Sequence, residues 1–135
     1  MKKTLLPLAL FSSLLLADGY EIYKNNCANC HIEMIAKEEV LNNLDKMKAP
    51  PMVEVSNQIR SNIIIKDDDE DVHKHLFVLF VKDYIRNPKL SKSMCHPGAL
   101  ERFDVMPSLK AKLTEQEAQE VATWLYERYE GVAFR

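Results

Sequence analysis

The stretch Asn26-Cys27-Ala28-Asn29-Cys30-His31 sets two thiols three residues apart, with an imidazole directly after the second. Side chains of these types at this spacing serve four kinds of chemistry: a disulfide, a redox dithiol, a metal clip, or covalent attachment of a haem. A structural zinc site needs four ligands, commonly from two such pairs. Here the only late partners of similar chemistry are Cys95 and His96. A thioredoxin-like dithiol belongs to a βαβ setting, which this chain does not show. A disulfide closing so short a loop removes little entropy from the unfolded chain. In an exported protein, Cys-x-x-Cys-His reads as c-type haem attachment. On a helical turn the three side chains fall at i, i+3 and i+4 and project to one side. Two thioethers can then fix one edge of a porphyrin while the imidazole reaches the iron.

Export is what the N-terminus implies. Lys2 and Lys3 precede an apolar run from Thr4 to Leu16, and Ala17 suits a cleavage site, although Leu15 is larger than the residue usual two positions before one. The run holds about a dozen residues, short of the ~20 a membrane-spanning helix needs. The expectation is a signal peptide over 1–17, a single domain over 18–135, a periplasmic location and no membrane span after cleavage. Past residue 17 there are 16 Lys+Arg against 20 Asp+Glu, a formal balance of −4. An acidic surface of this kind argues against nucleic acid as a partner.

The elements that must position the motif all read as helices. Asp18 can cap a first helix bearing Tyr20, Tyr23, Cys27 and Cys30. Val40, Leu41, Leu44 and Met47 mark a second, ended by Pro50-Pro51; a third starts at those prolines and carries Val55, Ile59 and Ile63. The acids at 67–71 favour the start of a fourth helix through its dipole. Its apolar face is expected at Val72, Leu76, Leu79, Phe80 and Tyr84, with a stop before Pro88. The run Leu76–Val81 could be a buried strand by composition, but no second strand signal exists to pair with it. Residues 87–113, broken by Pro88, Pro97, Gly98 and Pro107, read as one long loop. Thr114-Glu115-Gln116-Glu117 is a capping box for a last helix whose stripe is Ala118, Val121, Ala122, Leu125 and Tyr129, with Gly131 as its stop.

With these residues in view, the chain resembles the small single-haem cytochromes c of the class I fold. Gly19 and Tyr23 stand eight and four positions before Cys27, where that family has a small residue and an aromatic. Residues 114–130, with Trp124, Leu125 and Tyr129, look like the family's closing helix. The resemblance implies an all-α, cytochrome c-like fold in which the N- and C-terminal helices cross, with extra helices in the middle of the chain. It also implies one covalent haem c, bound through Cys27 and Cys30, with His31 and Met106 as iron ligands. Met106-Pro107 lies eight residues before the closing helix, where the family places its methionine. Met52, after Pro50-Pro51, is its rival, and His73, His75 and His96 stand behind both. Met34 is too close to His31 to reach the opposite face, and Met47 fits a helix stripe. A carbonyl at Ala49 or Pro50 is a candidate acceptor for the second nitrogen of His31, later in the chain than the family's usual spacing.

The function expected on this reading is electron carriage between redox proteins by a monomer, with no catalytic residues. A haem-based sensor, or a peroxidase-like haem protein, is the alternative. Lys89, Lys92, Lys110 and Lys112 are expected to form a basic rim near the haem. Cys95 is left without a cysteine partner. It reads as a half-buried small residue, with an intermolecular disulfide or substitute iron ligation as sharper uses.

Overall fold

A side-chain carboxylate starts the first described element: Asp18 accepts from the Tyr20 N–H at 3.1 Å and opens helix α1, Gly19–Asn26. The computed structural model describes residues 18–135, and every regular element among them is helical. After α1 come α2 (Lys37–Asn42), α3 (Met52–Asn62), α4 (Glu70–Arg86), α5 (Pro97–Phe103) and α6 (Glu115–Arg128), with short 3-10 turns at Leu44–Lys46 and Leu90–Lys92. The proposed signal peptide, 1–17, lies outside the described residues.

The frame is α6 packed against both α1 and α4. Thr114 accepts from the Glu117 N–H at 3.1 Å and Glu117 accepts from the Thr114 N–H at 2.8 Å, so the reciprocal cap forms. Ala118, Val121, Ala122, Leu125 and Tyr126 are buried along α6, each large apolar side chain contributing about 1.5–3 kcal/mol. Beyond the helix, Gly131 has φ +66°, which the chain reversal needs. At the other seam, a Cβ on Gly19 would lie 2.4 Å from Trp124 Cβ and 2.5 Å from the Glu120 carbonyl oxygen. Only glycine lets α1 and α6 come this close. Tyr23 then stacks on Trp124 with ring centres 4.8 Å apart.

Several details differ from the sequence expectation. Helix α4 turns Phe77, Val78, Val81 and Tyr84 inward. Val72, Leu76 and Leu79 remain 46%, 40% and 44% exposed, against 0% for Phe77. The helix carries two apolar stripes, and tertiary packing against α6 buries the one with Phe77. The second helix stops at Asn42 and gives way to the 3-10 turn, so Leu44 lies outside it. Pro51 is the residue before α3, not inside its first turn, and Ile63 is the residue after it. Residues 87–113 are not one loop: His96 accepts from the Gly98 N–H at 3.2 Å, and Pro97 starts α5 in the first-turn position where it loses no hydrogen bond.

Candidate functional site

Helices α3 and α4 and the segment after α4 leave an apolar cleft between them. On one side stand Cys27, Cys30 and His31, followed by Ala49, Pro50 and the start of α3 at Met52. Phe80, Val81, Tyr84 and Ile85 of α4 form the floor. The remaining side comes from residues 94–109, with Met94, Leu100, Phe103, Met106 and Leu109. The cleft has a volume of about 210 Å³ and opens to solvent.

Helix α1 ends at Asn26, so Cys27 and Cys30 lie just beyond it. The Cys30 and His31 N–H groups both donate to the Cys27 carbonyl, at 3.0 and 2.9 Å, and this adds one helix-like turn. That turn keeps the expected one-sidedness: Cys27, Cys30 and His31 all line the cleft. Cys27 is half-buried and Cys30 exposed, and both are free thiols. Burial pushes the Cys27 thiol up to about 11, and the neighbouring Cys30 adds to the shift, so it is protonated at neutral pH. Among the described residues no three His, Cys, Asp or Glu side chains gather as a metal ion held by protein alone requires.

His31 is tightly held. Its Nδ1 lies 2.7 Å from the Pro50 carbonyl oxygen. A carbonyl only accepts, so Nδ1 carries the proton and Nε2 keeps its lone pair. Burial lowers the ring's pKa, opposed by the Pro50 bond, so the neutral form is favoured. Of the two carbonyls that the sequence offered, Ala49 and Pro50, the structure uses Pro50.

Of the methionines, Met52, Met94 and Met106 line the cleft, whereas Met34 is 45% exposed and Met47 is not part of the wall. Met52 belongs to the His31 side, because its N–H donates to the Ile32 carbonyl at 2.7 Å. Met106 arrives from the 94–109 side. None of the rival histidines lines the cleft. His73 is bonded to Tyr126 Oη (3.2 Å) and the Arg60 carbonyl (3.1 Å), His75 is exposed, and His96 caps α5. Cys95 does reach the wall, a placement its position in the sequence did not reveal. The basic side chains are placed as follows. Lys92 is taken up by Asp83 at 2.5 Å, none of the four predicted lysines lines the cleft, and Lys48 does. Lys48 follows Met47 in an undistinguished stretch and carries no sequence signal of its own.

Over the described residues, the fold and this site define an all-α protein with an apolar cleft that gathers a Cys-x-x-Cys-His turn and a methionine. The chain belongs to the same family as an uncharacterized protein of Aquifex aeolicus (strain VF5), to which it is 38% identical over 143 residues, covering 96% of this chain and 89% of that one. No protein-family model matches the chain, and no solved structure matches it.

Proposed function

We propose that this protein is an exported monohaem cytochrome c that carries electrons between larger redox proteins. The observation that carries this reading is the meeting of Cys27, Cys30, Met106 and a His31 bonded through Nδ1 to Pro50 in one apolar cleft. These residues fit haem c by their chemistry: two thiols for thioether attachment, an imidazole with a free nitrogen, and a soft thioether from the other side. Bound there, haem c supplies a one-electron ferric–ferrous couple.

The chain's own residues do the rest. Cys27 and Cys30 tether the group, so a small protein needs no deep preformed cavity to keep it. Pro50 accepts the Nδ1 proton of His31, which fixes the tautomer and makes Nε2 a stronger donor. Met106 is a weak, soft donor that favours the reduced state and raises the potential relative to a second imidazole. The apolar walls exclude water and keep the charge change from reorganising much solvent. No residue around the cleft is assigned as acid, base or nucleophile, and the protein is a carrier, not an enzyme. The close approach of α1 and α6 at Gly19 supports the resemblance to the class I cytochrome c arrangement. Residues 1–17 act as the export signal, the mature form is a periplasmic monomer, and its partners meet it in small, short-lived interfaces.

The test is spectroscopic. The chain, expressed with its N-terminus in a host that attaches haem c, should show a reversible ferric–ferrous absorption change that Cys27→Ala/Cys30→Ala abolishes. The reduced protein should not take up carbon monoxide at neutral pH. Ready carbon monoxide uptake would favour the sensor, and no haem absorption at all would remove the proposal.

A further inference from the structure

Residues 31–33 belong to no regular element, yet their three carbonyls in a row are each capped from a different helix. The Tyr23 hydroxyl, on α1, donates to the His31 carbonyl at 2.6 Å. The Met52 N–H, at the start of α3, donates to the Ile32 carbonyl at 2.7 Å. The Tyr129 hydroxyl, on the residue that caps the end of α6, donates to the Glu33 carbonyl at 2.6 Å. The Glu33 carboxylate is bound in turn by Arg128 Nε at 2.7 Å.

Packing alone does not call for the two hydroxyls. Tyr23 stacks on Trp124, and Tyr129 sets its ring edge-on to the same indole at 6.2 Å. Phenylalanine would fill both places. Tyr23 and Tyr129 are 2% and 0% exposed, and a hydroxyl buried so deeply is unfavourable unless it is bonded. Both find their bond on the strap that carries His31. Irregular backbone leaves a side chain free to swing, whereas a carbonyl held in place fixes the peptide plane from which the ring projects. The Pro50 bond then holds the far side of the same ring.

We infer that Tyr23 and Tyr129 are positioning residues, whose hydroxyls pin the 31–33 strap and thereby aim the imidazole of His31 at the cleft. This rests on the haem reading, which gives the aimed nitrogen its purpose. Neither hydroxyl touches the cofactor; both act through backbone.

The test uses Tyr23→Phe, Tyr129→Phe and the double variant in the full purified protein, with hydrogen exchange of the Met52 amide and the His31 ring N–H as readouts. The Leu125 amide, in the middle of α6, is the internal reference. Each single variant should speed exchange at Met52 and at the His31 ring about fivefold, the share of one ordinary hydrogen bond, with Leu125 unchanged. The reduction potential should rise, because a looser Pro50 bond makes His31 a weaker donor. Equal acceleration at Leu125 would show general destabilisation and overturn the inference, as would no acceleration in the double variant. A loosened strap with an unchanged potential would also overturn it. Intact mass of the same samples separates the two levels: a chain without haem removes the functional proposal, while the exchange at the His31 ring still decides for or against the pins.

Discussion

The two sides of the cleft are held by different physics. On the His31 side, directional bonds from α1, α3 and α6 converge on three residues, and the ring itself is tied to Pro50. On the Met106 side, α5 buries none of its residues fully. That segment is anchored at a few backbone points: Asn62 to the Met94 carbonyl, Arg102 to the Leu44 carbonyl, and the Leu109 N–H to the Ile85 carbonyl. Asp104 sits at φ +60°, a conformation unfavourable for a residue with a Cβ. The contrast suits the proposed ligands. On that proposal the strong donor, His31, is aimed by hydrogen bonds, and the weak one, Met106, would come from the more lightly held segment.

Cutting the lightly held ligand should have the largest effect on the site. Met106→Ala should abolish the thioether-to-iron charge-transfer band, let added imidazole bind, and leave the fold intact by circular dichroism. Met52→Ala, on the His31 side, should retain the band. The reverse result would transfer the ligand role to Met52.

In stability the order inverts. Gly19→Ala forces a Cβ into Trp124 and the Glu120 carbonyl and should cost about 3 kcal/mol in urea unfolding. Leu100→Ala, on half-buried α5, should cost about 1 kcal/mol. Equal losses would erase the distinction between frame and flap.

Base should find the His31 side as well. Burial, then the nearby Glu33, pushes the Tyr23 phenol up to about 12 from its ordinary 10. Burial also raises Tyr129. Groups raised in this way keep their full contribution below pH 10 and lose it as the pH climbs towards 12. Stability should therefore fall over that interval, and Tyr23→Phe should flatten part of the decline. A wild-type curve level to pH 12 would contradict the buried state of these phenols.

The smallest effect concerns charge at the cleft mouth. Lys48→Glu should slow electron transfer to ferricyanide a few-fold at low salt, fading as ionic strength rises. Lys92→Glu, whose lysine is already occupied by Asp83, should do less.

Much of the frame was legible because its signals are local. The Thr114–Glu117 box, the Asp18 cap and the Gly131 stop each need only neighbours in sequence, and the one-sidedness of Cys27, Cys30 and His31 follows from their spacing. What escaped depends on partners far along the chain. The inward face of α4 could not be chosen from two apolar stripes without α6 beside it. Pro97 reads as a breaker in isolation, but a proline at a helix start breaks nothing. Nor does sequence show that Tyr129 reaches back 96 residues to Glu33, or that Cys95 and Lys48 come to the cleft.

The central claim is that Cys27 and Cys30 carry a haem, and intact mass spectrometry tests it most directly. After acid–acetone extraction, the protein expressed with its N-terminus in a haem c-attaching host should retain the mass of the chain from Asp18 plus one haem, and Cys27→Ala/Cys30→Ala should retain none. A wild-type mass equal to the bare chain, or haem released entirely into the acetone, would contradict the account.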